Sequence, residues 1–279
     1  MPPLVIALVV GRRERARVQE ALRGRLRLTF ASTVEALRAQ VVAAAEGELA
    51  AVIVEPRDEA SLPVHPFVRD FVGRAPAVPV VAICDGGLGL SRDLLDLAQA
   101  GTHEVVIRGH GDDGHGLRAA IESGQRTSAG TRTLALLAPH VPPSMLGFVE
   151  YCVYYPHEAK SVTRVAAALG VHRKTLVNMC GRAGLPTPQV LISWCRVLHA
   201  AVLLSSTTRP VDQIARLLDF QSGTALRNMF KRYTGMRPGE VRGDRILPTV
   251  VASFAIRAAS PSGGDAPARS RRRKGGIGR

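Results

Sequence analysis

His172, Arg173, Lys174, Thr175 and, one helical turn on, Asn178 stand together at the start of one helical stretch. A comparable set, Gln221, Ser222, Thr224, Arg227 and Asn228, follows later and runs on into Lys231 and Arg232. These types hydrogen-bond to polar edges. A guanidinium fork matches the O6 and N7 of guanine, an Asn amide matches adenine, and Lys pairs with guanine or phosphate. Arg173 and Arg227 are the principal candidates for base contact; the alternative is phosphate contact, which positions without specifying. Ser222 and Thr224 are equally suited to capping their helix. No catalysis is implied, and no metal or cofactor.

Two helical units must position these groups. In the second, Thr207 to Arg242, Pro210 has the fixed φ of a helix start, and Val211, Ile214, Ala215 and Leu218 form an apolar stripe. Phe220 opens a turn, and a helix from about Gly223 to Tyr233 buries Leu226, Met229 and Phe230 before Gly235 ends it. A shift of 49 positions lays Val162, Val165, Ala166, Leu169 and Val171 onto Val211, Ile214, Ala215, Leu218 and Phe220. With one residue inserted, LVNMCGR from Leu176 matches LRNMFKR from Leu226. A repeat that keeps both core positions and turn is a duplicated helix-turn-helix, whose second helix enters the major groove. Gln189 to Ser206 between the copies reads as one helix of about 27 Å, able to hold two recognition helices near the ~34 Å spacing of successive grooves.

Pro143 to Arg242 resembles the AraC/XylS transcriptional regulators. The Ile-Ala pair at Ile214, the aromatic turn, the Phe-Lys-Arg run from Phe230, then Gly235, Pro238 and Arg242 carry the resemblance. Asp219 stands where that family usually has Gly, Leu226 where it has Phe, and Gly223 replaces a larger residue. The resemblance implies double-stranded DNA as partner, and RNA polymerase as a further one.

Charge follows the same division. Residues 1–142 carry 16 basic and 16 acidic side chains, residues 143–244 carry 13 and 6, and residues 245–279 carry 8 and 1, so the whole +14 excess lies with the helical units and the tail. That is the footprint of a nucleic-acid binder. The apolar start Leu4 to Val10 is too short for a secretion signal and its arginines follow it. No stretch suggests a membrane span, and Cys84, Cys152, Cys180 and Cys195 lack metal-site spacing. A cytoplasmic, nucleoid-associated protein with reduced thiols is expected.

The first half alternates apolar runs (Leu4 to Val10, Arg25 to Ala31, Ala51 to Val54, Val78 to Cys84, Glu104 to Ile107) with helical patterns such as Glu14 to Leu22 and Thr33 to Ala45. This predicts a flavodoxin-like, doubly wound parallel five-stranded sheet. Ala50 to Arg57, Pro79 to Asp85 and Ala100 to Gly109 resemble a response-regulator receiver domain. The resemblance implies a Mg²⁺-holding acidic pair, a phospho-accepting Asp, a Thr or Ser and a Lys; here those places hold Val10 and Gly11, Glu55, Cys84 and Arg108. Phosphorylation is not expected, and Glu55 with Arg108 is either a surface ion pair or a mimic of the phosphorylated state. Gly86, Gly87 and Gly89 read as a loop, and so do His103, His110 and His115 with Asp112 and Asp113.

The expected division is a degenerate receiver-like α/β domain (1–124), a Gly/Ser/Thr/Pro linker (125–142), an all-helical double helix-turn-helix domain (143–244), and a basic, largely disordered tail (245–279). Within the tail, the apolar piece from Arg245 to Ser260 could pack back on the domain. The function expected is sequence-specific transcription regulation, with the first domain unphosphorylated and used for regulation or homodimerisation. The alternatives are an architectural protein binding DNA by charge alone, a phosphorylatable response regulator, and an Ada-like repair enzyme, against which the absence of a Cys cluster argues.

Overall fold

The computed structural model describes residues 3–24, 26–45, 47–86, 91–110, 113–207, 209–241 and 246–258. Five strands, β1 (Leu4–Leu8), β2 (Arg27–Ala31), β3 (Leu49–Val54), β4 (Val80–Cys84) and β5 (Glu104–Ile107), pair in parallel in the order β2-β1-β3-β4-β5. Parallel neighbours need crossovers, and α1 (Arg12–Leu22), α2 (Val34–Ala43), α3 (His65–Arg74) and α4 (Ser91–Gln99) supply them. Alternate residues of β1 face opposite sides. Val5 and Ala7 pack with Val18 and Leu22 of α1 and with Leu117 and Ile121, while Ile6 and Leu8 pack with Leu37 of α2 and Phe67 and Phe71 of α3. With both faces covered, near-continuous apolar runs are required, as the doubly wound reading expects.

Residues 125–142, expected to be a linker, are mostly helix. α5 (Gly114–Leu137) runs 24 residues without a break, and a short 3₁₀ turn (Ala138–His140) follows it. The small residues that suggested flexibility serve close packing instead. A Cβ on Gly124 would lie 2.9 Å from the Cβ of Pro79, and one on Gly130 would lie 3.2 Å from the Tyr154 ring. The Gln125 amide donates to the Ala50 carbonyl at 2.8 Å, and the Ser128 hydroxyl donates to that of Ala77 at 3.1 Å. The first half of α5 therefore belongs to the sheet domain, and its second half, through Ala129 and Leu137, belongs to the helical core.

That core is built by α6 (Pro143–Tyr154), α7 (Val162–Ala168), α8 (Arg173–Arg182), α9 (Pro188–Ser206), α10 (Val211–Leu217), α11 (Gly223–Thr234) and α12 (Ile246–Ala258). α6 starts on Pro143, whose missing N–H costs nothing at a first helical position, and no side chain caps it. α9 is long and apolar enough to suit a bilayer, yet Trp194, Val197, Ala201 and Leu204 are buried at the centre of the core. The first part of the tail is ordered: Leu247, Val250 and Phe254 of α12 are buried, and Phe254 meets Trp194 edge-on at 5.6 Å. The basic remainder of the tail, with Gly87, Gly89, Asp112 and Arg242, lies outside the described residues.

Candidate nucleic-acid interface

The two helix-turn-helix units close their turns with the same hydrogen bonds. After α7, Gly170 takes a left-handed φ of 66°; its N–H donates to Ala167 at 3.1 Å and that of Val171 to Ala166 at 2.9 Å. After α10, Asp219 takes a φ of 55°; its N–H donates to Arg216 at 3.1 Å and that of Phe220 to Ala215 at 2.8 Å. This pairing of bonds is the Schellman closure, and it fixes the angle at which the second helix leaves the first. It also explains the Gly expected at 219. The backbone is left-handed there, and Asp is among the few other residues that adopt it at modest cost. Its carboxylate pairs with Lys160 at 2.5 Å.

Arg196 of α9 reinforces the second turn, donating to the Leu218 and Asp219 carbonyls at 3.2 Å each with its guanidinium 4.0 Å from the centre of the Phe220 ring. Sequence reading missed it, because it lies off the apolar stripe of α9 and its hydrogen-bond partners are backbone atoms of a distant turn.

In the first unit Arg173, Lys174, Thr175 and Asn178 are exposed on α8, while Leu176 and Cys180 face the core. His172 is the N-cap, its Nδ1 accepting from the Lys174 N–H at 3.2 Å. In the second unit Gln221, Thr224, Asn228, Lys231 and Arg232 are exposed, over buried Leu226 and Phe230. Ser222 caps α11, its hydroxyl oxygen accepting from the Ala225 N–H at 3.1 Å. His172 and Ser222 therefore already hold a backbone group. Arg227 donates to Asp212 of α10 at 2.9 Å. The Asp212 carboxylate occupies the space beside Gly223, where a Cβ would fall 1.7 Å from Oδ1. Gly223 thus stands at the start of α11 where Asp212 crosses it, and a larger residue would displace the Asp212–Arg227 pair. Asp212 and Arg227 sit on different helices, so no single-helix periodicity reveals their contact.

The tyrosines are engaged by neighbours. The Tyr151 hydroxyl donates to Glu158 at 2.7 Å, and Tyr154 shares a 3.0 Å hydrogen bond with Thr131 of α5.

At the C-terminal edge of the sheet, Glu55 and Arg108 meet directly, and the pair is not a surface contact. Glu55 is buried and Arg108 half-buried. One Glu55 oxygen accepts from the Val10 N–H at 2.9 Å and the other from Arg108. Arg108 also donates to Asp85 at 2.7 Å and lies 3.6 Å from Glu14. Burial pushes the Glu55 carboxyl above its ordinary range, against the pull of Val10 and Arg108. Cys84, in the expected Thr/Ser place, is buried, and its thiol is pushed up to about 11 by that burial. The guanidinium therefore occupies the space among three carboxylates. Of the histidines read with this loop region, His103 is half-buried with Nδ1 accepting from the Val80 N–H at 3.1 Å, His110 and His115 are exposed, and Asp113 caps α5 through the Gly116 N–H at 2.8 Å.

Residues 165–244 match the model of a helix-turn-helix domain family, of the AraC type, over less than a third of the chain. No curated protein sequence matches. Among solved structures, the chain is similar to NtrX from Brucella abortus in complex with ADP (17% identity, TM-score 0.41, 58% of this chain and 35% of that one). It is also similar to full-length FixJ from B. japonicum (12%, TM-score 0.35, 86% and 98%) and to the xylose-binding transcription activator xylR (14%, TM-score 0.34, 87% and 71%). The chain spans about a third of the length of the NtrX structure. All three scores fall below 0.5, so the fold rests on the strand order and the repeated turns. Residues 165–244 are thus similar to a helix-turn-helix domain, in agreement with the two repeated turns.

Proposed function

We propose that the chain is a sequence-specific, DNA-binding transcriptional regulator whose α8 and α11 enter successive major grooves on one face of the duplex. The carrying observation is the twice-repeated turn, with the same bonds at a shift of 49 residues, each presenting an exposed polar helix start. α9 joins the units; its 19 residues give about 28 Å at 1.5 Å per residue, near the ~34 Å groove spacing. Arg173, Lys174, Thr175 and Asn178 read one half-element, and Gln221, Thr224 and Asn228 read the other. Arg227 reaches bases by releasing Asp212, and Lys231 and Arg232 hold phosphates.

In this reading the sheet domain is not phosphorylated. Where a phosphoryl group and its cation need space and oxygen ligands, Arg108 already fills the space among Glu14, Glu55 and Asp85. The domain serves regulation or pairing with a second copy, and the protein works in the cytoplasm, on the nucleoid, alongside RNA polymerase. Selection of bound duplexes from a random pool at about physiological salt tests the reading. One motif with two half-elements about ten base pairs apart is expected, and Arg173→Ala should relax one half alone. Enrichment of no motif would replace this reading with binding by charge alone. Incubation with acetyl phosphate and Mg²⁺ should leave the intact mass unchanged; gain of a phosphoryl group would restore the response-regulator alternative.

A further inference from the structure

A cleft of about 840 Å³ lies between the sheet domain and the second helix-turn-helix unit. On one side α5 contributes Arg118, Glu122 and Arg126; on the other, the turn before α10 contributes Arg209, and α10 itself Gln213 and Arg216. Its volume falls within the ~300–1,000 Å³ of small-molecule sites. Among the described lining residues, four guanidiniums against one carboxylate leave an excess of three positive charges in a concave space, where low-dielectric walls focus their field. Arginine forks grip phosphoryl oxygens in bidentate pairs, and Gln213 adds a neutral amide that donates and accepts. No residue of α8 or α11 lines the cleft, and the sheet domain supplies part of its wall through Pro3 and Leu26. Both facts favour a small ligand over the DNA backbone.

We propose that this cleft binds a small polyanion bearing a di- or triphosphate group, held by Arg118 and Arg126 from α5 and by Arg209 and Arg216 from the α10 side. The ligand's negative charge complements that excess. The ligand also ties α5, which both domains share, to α10, which packs on α11. The site is thus placed to bias the second unit, although binding itself does not depend on the DNA-reading assignment.

Calorimetric titration of the full chain with inorganic tripolyphosphate, ATP and adenosine tests it. Saturable one-to-one uptake of tripolyphosphate is expected, weakened about tenfold or more in Arg126→Gln/Arg216→Gln and by less than about twofold in Arg69→Gln, an exposed arginine on α3 outside the cleft. ATP binding tighter than tripolyphosphate extends the ligand to a nucleotide, whereas equal binding confines it to the phosphates; adenosine alone should not bind. If the double variant fails to fold, Arg118→Gln takes its place, with a rise in wild-type Tm on adding tripolyphosphate as a second readout. Absence of wild-type uptake overturns the proposal, and so does equal weakening in Arg69→Gln. Loss of DNA affinity in the double variant without wild-type tripolyphosphate uptake would assign these arginines to the DNA backbone instead.

Discussion

Gly124→Ala separates a packed α5 from a flexible connection by the sign of its effect. In an exposed helix, replacing Gly by Ala gains about 1 kcal/mol, because Gly loses more backbone entropy on folding. Gly147 on α6 provides that reference: it is helical and exposed, and a Cβ there meets nothing within 4 Å. Gly147→Ala should therefore stabilise by about 0.5–1 kcal/mol. At Gly124 the same gain applies, but the new methyl lies 2.9 Å from the Cβ of Pro79, a ring fixed on the loop that feeds β4. Forcing a methyl into such a contact costs about 1–3 kcal/mol. The balance is a net loss of about 0–2 kcal/mol, so the two glycines should differ by about 1–3 kcal/mol in opposite directions. Urea unfolding followed by far-UV circular dichroism, with a common slope fitted to both variants, measures the difference. If Gly124→Ala stabilises as much as Gly147→Ala, α5 is not packed against Pro79 and the argument for a shared helix fails.

Arg108→Ala should cost about 3 kcal/mol, since it leaves the buried Glu55 carboxylate with only the Val10 N–H; Glu55→Gln/Arg108→Ala should recover part of that loss, and additive losses in chemical denaturation would contradict the pairing. Burial pushes His103 and His199 down to about 4, below the ~6.5 of an unfolded His. Their neutral forms therefore favour the fold fully above about pH 6.5, and stability is lost as pH falls from there toward 4, by up to about 3 kcal/mol each. Urea midpoints should fall between pH 7 and pH 5, less steeply in His199→Gln, and an equal slope in that variant would rule out His199 as a source. Asp219→Gly should leave stability within about 1 kcal/mol of wild type, because relief of the left-handed backbone offsets loss of the exposed Lys160 pair, whereas Asp219→Val should lose more than about 1 kcal/mol; equal melting of the two would show that φ at 219 is not limiting.

Periodicity carried most of this architecture. The runs at Leu4, Ala51 and Val78 could only be strands covered on both faces, and the 49-residue repeat placed both turns, because Gly170 and Asp219 punctuate them at equivalent positions. Composition misled at α5. Gly124, Ser128 and Gly130 have the makeup of a loop, and only the proximity of Pro79, Ala77 and Tyr154 reveals that small side chains were needed for contact. In the tail, the apolar piece was legible as one that could pack back, and Leu247, Val250 and Phe254 have helical spacing, but the partner of Phe254, Trp194, lies sixty residues away and no local pattern names it. Site residues were legible as types at helix starts. Their engagements were not, because the Asp212–Arg227 pair and the Arg196 clamp on the Leu218 and Asp219 carbonyls join different helices.

Hydroxyl-radical footprinting of the full chain on a selected duplex tests most directly whether two units act on one DNA face. Two protected windows about ten base pairs apart on the same face are expected, one weakened by Arg173→Ala with Asn178→Ala and the other by Gln221→Ala with Asn228→Ala. A single window, or uniform protection that no pair of substitutions divides, would contradict the action of two units.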